Sequence, residues 1–126
     1  SEIIKEKNRR SQTQDEAILS RMLDYIHQNY RDNIMLNDLA DQFNISPKYC
    51  GILFKQLSDN NFKDYLNNYR INQARALLEK DPSLKTKDLS AMTGFNSSNT
   101  FIRVFSKYTG MTPQKYAEHV IDKAKK

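Results

Sequence analysis

The feature that most constrains the fold is a repeat. Ser46, Cys50, Leu53, Phe54, Leu57 and Tyr65 match Ser97, Phe101, Val104, Phe105, Tyr108 and Tyr116 in order, and the steps from Ser to Phe and from Phe to Tyr are equal in both copies. Helical periodicity fixes spacing within a helix but not across the turns between helices. A register kept through both therefore indicates two copies of one structural unit.

Each copy reads as two short helices joined by a turn. In the first, Asn37 is expected to cap a helix carrying Leu39, Ala40 and Phe43, and Asn44 to end it in the left-handed conformation. Ser46 and Pro47 then supply an N-cap and a first helical residue. The helix that follows places Cys50, Leu53, Phe54 and Leu57 inward and Lys48, Gly51, Ile52 and Lys55 outward. In the second copy Leu89, Ser90 and Met92 lie on a short helix ended by Gly94. Ser97 caps the next helix, with Phe101, Val104, Phe105 and Tyr108 inward and Ser98, Asn99, Ile102, Arg103 and Ser106 on its other faces. Two short helices and a tight turn form a helix-turn-helix.

Between the copies, Asn61 to Glu79 reads as one helix of about 28 Å at a rise of about 1.5 Å per residue. Phe62, Tyr65, Leu66 and Tyr69 share one face, and Ile71, Ala74, Leu77 and Leu78 another. A helix with two apolar faces in succession packs against two different things. Upstream, Ile18, Leu19, Met22, Leu23, Ile26 and Tyr30 recur at spacings of three and four, as an amphipathic helix from Asp15 requires. Residues 1–14 read as a polar linker or the frayed end of a preceding segment, and Lys5, Lys7, Arg9 and Arg10 there as solvated rather than phosphate-bound. The expected division is 1–14 linker, 15–60 first subdomain, 61–79 connecting helix, 80–119 second subdomain and 120–126 basic C-terminal tail.

With only three Gly and three Pro in 126 residues, and no run of alternating β-branched residues, the fold class is all-α. A net charge of +5 makes polyanions the natural partners. The single Cys50 excludes an internal disulfide and fits a reducing compartment. Inward-facing, it reads as a small hydrophobe rather than a redox switch. No apolar stretch approaches the roughly 20 residues of a membrane span, and no secretory signal is present, so a cytoplasmic protein is expected. Enzyme activity is not expected: there is no Gly-rich phosphate loop, no Cys/His cluster and no nucleophile beside a candidate base. No metal or cofactor is therefore expected, and His27 reads as a surface histidine.

The repeat and its flanks resemble the DNA-binding domain of the AraC/XylS family of bacterial transcription regulators, over about residues 15–118. The strongest part is GFNSSNTFIRVFSKYTGMTPQKY, similar to the family's signature of Gly-Phe, a capping Ser, an Arg before a hydrophobic-Phe pair, then Gly, Pro and Tyr. Arg70, Ala74, Leu77 and Leu78 follow the family's pattern in the long helix. The resemblance implies seven helices, in two tandem helix-turn-helix subdomains joined by the long linker helix. It also implies recognition helices near 47–57 and 98–108 in adjacent major grooves of double-stranded promoter DNA.

Such grooves lie about 34 Å apart on one face of B-DNA, which the linker helix and the widths of its lobes can bridge. The resemblance further implies transcription activation as a family tendency. RNA polymerase is the further partner considered, and the domain is expected to be monomeric alone and dimeric within a longer protein. Because no sensor segment is recognisable, the chain is expected to be the output domain of such a protein.

In the second unit Arg103 is the leading candidate for a base contact, since its planar fork suits O6 and N7 of guanine. Asn99 and Ser98 stand near the helix start where bases are met, and Ile102 faces outward as if toward a thymine methyl. Ser97, Ser106 and Lys107 are assigned to the phosphate backbone. In the first unit the base-facing candidates are Lys48, Gly51 and Ile52, with Ser46, Lys55 and Gln56 on the backbone. There the position of Arg103 is held by Ile52, a departure from the family pattern, so this unit is expected to contribute shape, apolar and phosphate contacts. Asp59 stands where the second unit has Gly110 and is expected to tolerate the same turn. The competing reading is a helical protein-interaction module with a basic face and no specific DNA recognition.

Overall fold

The structure, a computed structural model, describes residues 2–58 and 60–125, with side chains over 14–56 and 60–125. Among the described residues there are seven helices and no strand: α1 (Glu2–Asn29), α2 (Leu36–Gln42), α3 (Pro47–Ser58), α4 (Phe62–Lys80), α5 (Thr86–Met92), α6 (Ser98–Thr109) and α7 (Pro113–Ala124). The expected positions of Leu57 and Asp59 lie outside the described side chains.

Three boundaries differ from expectation. The first helix begins at Glu2 rather than Asp15, since residues 2–14 contain neither Gly nor Pro and nothing in them breaks a helix. The N-cap of α2 is Met35, not Asn37, which falls inside the first turn. Methionine cannot cap, and Asp38 does the work from within, its Oδ2 accepting the Met35 N–H at 3.0 Å. Finally, residues 120–124 continue α7, where Val120 packs at the edge of the second core, so most of the expected basic tail is helix.

The remaining signals act as local chemistry requires. Asn44 ends α2 with φ 57° and Gly94 ends α5 with φ 88°. The Asn61 Oδ1 accepts the Asp64 N–H at 2.8 Å, opening α4.

The chain divides into two compact units: Ser1–Asn29 with Ile34–Tyr65, and Tyr30–Asn33 with Leu66–Lys126. In the first, Leu19, Met22 and Ile26 of α1, Leu39 and Ala40 of α2, Cys50, Leu53 and Phe54 of α3, and Phe62 of α4 are buried. The Phe54 ring meets Phe62 and Tyr65 at centroid distances of 5.7 and 6.0 Å. Cys50 Sγ lies 3.9 Å from Met22 Sδ, and burial raises the thiol pKa, which favours the neutral thiol. His27 is not a plain surface residue: its ring stacks on Tyr65, with Nε2 2.7 Å from the Tyr65 hydroxyl.

The second unit repeats this plan. Ile71, Ala74 and Leu78 of α4 join Leu89, Phe95, Phe101, Val104, Phe105, Tyr116 and Ala117 in one core. Its aromatic rings form a chain, Phe95 to Phe101 at 5.3 Å, Phe101 to Phe105 at 5.6 Å and Phe105 to Tyr116 at 5.6 Å. The Tyr116 hydroxyl donates to Glu79 Oε1 at 2.8 Å. His27 and Glu79 each follow the last buried aliphatic of their helix, Ile26 and Leu78, so the repeat extends back through α1 and α4.

Arg70 is 8% exposed, and burial disfavours its charged form. Its Nε donates to the Tyr30 carbonyl and its Nη2 to the Asp32 carbonyl, each at 2.8 Å, while the guanidinium lies over the Phe95 ring. These bonds offset the cost of burying the charge and satisfy two carbonyls after α1 that lack helical partners.

Candidate nucleic-acid interface

The outward faces of α3 and α6 are set by their capped starts and their buried stripes. The Ser46 Oγ accepts the Tyr49 N–H at 3.1 Å, and the Ser97 Oγ accepts the Thr100 N–H at the same distance. Ser97 also donates to Thr100 Oγ1 at 2.9 Å, so its hydroxyl proton is engaged within the helix start. Once Cys50, Leu53 and Phe54, or Phe101, Val104 and Phe105, turn inward, the opposite rows must face solvent.

On α6 the structure brings the predicted residues into two rows at a spacing of four. Asn99, Arg103 and Lys107 form an exposed row. Ser98, Ile102 and Ser106 form a half-buried one, so Ile102 is less open than its expected outward placement. The reason is geometric: that row borders the stripe of Phe101 and Phe105. Gly110, in the left-handed conformation at φ 79°, closes the helix and donates its N–H to the Ser106 carbonyl at 2.9 Å.

On α3 the matching exposed row is Lys48, Ile52 and Gln56, with Lys55 exposed beside it and Gly51 half-buried. Ile52 is 41% exposed, a large aliphatic in the place of Arg103. A Cβ added to Gly51 would meet just one side-chain atom, Leu36 Cδ2 at 3.8 Å, which is ordinary contact. Internal packing therefore gives no reason for a glycine that weakens the helix by about 1 kcal/mol relative to alanine.

The starts of the two short helices also differ. Exposed Met35 precedes α2, whereas exposed Lys85 precedes α5. Sequence reasoning missed this pair because neither is an outward residue of a recognition helix; extending the repeat alignment upstream would have found it. It also missed Tyr49, whose hydroxyl donates to the Asp15 carboxylate of α1, a bond that raises the phenol pKa.

Among the described residues no group of three or more side chains is arranged to hold a metal ion, and no helix is long and apolar enough to cross a membrane.

Comparison with known sequences matches residues 39–119 to a family described as a helix-turn-helix domain. The melibiose operon regulatory protein of Escherichia coli K12 is 36% identical over 98 residues, covering 78% of this chain and 32% of that protein. The chain thus spans about a third of the length of that curated relative. Among solved structures, the C-terminal domain of the two-component response regulator yesN from Fusobacterium nucleatum is 31% identical with a TM-score of 0.74, covering 78% of this chain and 95% of that one. The DNA-binding domain of AdpA, solved in complex with a target DNA, shares the fold at a TM-score of 0.76 and 20% identity, over 80% of this chain and 90% of that one.

Proposed function

Because the chain belongs to the helix-turn-helix DNA-binding domains of the AraC/XylS family, we propose that it binds double-stranded DNA sequence-specifically, with α3 and α6 each entering a major groove. It serves as the output domain of a longer bacterial transcription regulator. The observation that carries this reading is the exposed row Asn99–Arg103–Lys107 on a capped helix, matched by Lys48–Ile52–Gln56 on the other. Two outward rows on equivalent helices, each carrying at least one basic residue, suit a regular polyanion with two equivalent grooves.

Within this reading Arg103 donates its fork to guanine, Asn99 and Ser98 meet neighbouring base edges, and Ile102 adds an apolar edge contact. In the first unit the short side of α3 at Gly51 and Ile52 approaches bases, and Lys48 beside it meets phosphate. Ser46, Lys55, Gln56, Ser106 and Lys107 hold phosphates through their side chains and Ser97 through its backbone N–H, which fixes register without reading sequence. The setting is the cytoplasm at a promoter, with RNA polymerase as a second partner, a monomeric isolated domain and a dimeric full-length protein. Binding, not catalysis, is the assigned role.

Arg103→Ala is expected to weaken binding to the selected duplex by about 1–3 kcal/mol and to relax preference at one base pair. Fluorescence anisotropy on matched and random duplexes checks it, and equal losses on both would reduce Arg103 to a phosphate contact. Lys48→Ala is expected to weaken all sequences alike and to lower the slope of log K against log salt by about one phosphate's worth. If neither substitution alters DNA affinity, the protein-interaction reading takes its place.

A further inference from the structure

Resting on the DNA-binding reading, we propose that the two recognition helices take different base chemistry: α3 seats the C5-methyl of thymine against Ile52 beside Gly51, whereas α6 takes guanine through Arg103. The target duplex is therefore chemically unequal in its two halves.

Where α6 carries exposed Arg103 with its donors, α3 carries Ile52, 41% exposed and without any hydrogen-bonding group. In the major groove the thymine methyl is the base-edge feature that rewards a hydrocarbon. One residue earlier, Gly51 leaves the helix surface low, and the side-chain atom nearest an added Cβ is Leu36 Cδ2 at 3.8 Å, so the neighbour on that side is also apolar. A methyl group has room there that a side chain at position 51 would take.

Charge decides between a duplex and an apolar protein surface. Lys48 and Lys55 are exposed four residues before and three after Ile52, on the same face of α3. Two lysines bracketing a small apolar centre suit phosphates on either side of a base edge. An apolar partner would gain nothing from them. The same contrast recurs at the start of the short helices, with Met35 in the first unit and Lys85 in the second.

The test uses the whole chain and duplexes selected by it from random oligonucleotides. Loss of preference in Arg103→Ala marks the half read by α6, and the thymines of the other half are then replaced by deoxyuridine, which removes the methyl alone. Each methyl that meets Ile52 is expected to lower affinity about fourfold when removed, and Ile52→Ala is expected to bind the thymine and deoxyuridine duplexes equally. Gly51→Ala is expected to raise Tm while weakening binding to the thymine duplex, opposite signs that packing alone would not give.

If the chain selects a duplex with a steep salt slope yet is indifferent to deoxyuridine, the thymine inference falls and DNA binding stands. If Ile52→Ala keeps the full thymine preference, the inference falls as well. Selection of no duplex at all would overturn the DNA-binding reading itself, and this inference with it.

Discussion

Phe105→Ala is expected to lower the unfolding free energy by about 3–5 kcal/mol, the range for truncating a fully buried phenylalanine. Phe105 sits between Phe101 and Tyr116, each at a centroid distance of 5.6 Å. Its removal opens a cavity in the middle of a chain of rings. The damage reaches past the missing atoms, because Tyr116 is held by that ring on one side and by its bond to Glu79 on the other. Against a total stability of about 5–15 kcal/mol for a domain of this size, the second unit would be marginal. Denaturant titration measures the loss, and Phe105→Leu, which fills most of the volume, is expected to cost under about 1.5 kcal/mol. Unchanged stability in the alanine variant would remove Phe105 from the core.

Gly94→Ala is expected to be comparably damaging for a different reason. At φ 88° an added Cβ would lie 2.4 Å from the Tyr30 carbonyl oxygen, 2.9 Å from Arg70 Nε and 3.1 Å from Arg31 Cα. The first contact is with backbone and the second with a guanidinium already committed to that same carbonyl. Relief therefore requires breaking the Arg70 bond or shifting the chain at Tyr30. Left-handed strain of about 1–2 kcal/mol is compounded by overpacking of about 1–3 kcal/mol.

Gly110 supplies the control. Its φ is 79°, yet no atom lies within 4 Å of an added Cβ, so Gly110→Ala is expected to cost about the strain alone. Thermal midpoints of the two variants separate the effects. Equal, small shifts would mean that Tyr30 and Arg70 do not close over Gly94 as described.

Much of the fold was legible because its signals are local. Apolar residues every three or four positions mark a buried face, and Asn44, Ser46, Gly94 and Ser97 mark ends through the backbone chemistry their side chains permit. Three of the misses share one cause, a job done from an unexpected place. Asp38 reaches back to start α2, so Asn37 looked like the cap. His27 finds Tyr65 from 38 residues away, and Arg70 finds carbonyls at similar range; no periodicity announces either contact. In the candidate site, the exposed rows of α3 and α6 followed from the buried stripes by elimination. The half-burial of Ile102 did not, since a row bordering a stripe is neither in nor out until the neighbouring side chains are placed.

The order of the chain and the membership of the units do not coincide. Tyr30–Asn33 belongs with the second unit, although Ile34–Tyr65 of the first unit follows it in sequence. During synthesis, a ribosome that has released the first unit has already delivered a strip of the second, whose Tyr30 and Asp32 carbonyls wait for Arg70. No single cut frees a whole second unit from the first. A fragment starting at Leu66 would carry Arg70 without those acceptors, its buried guanidinium left with no carbonyl to meet.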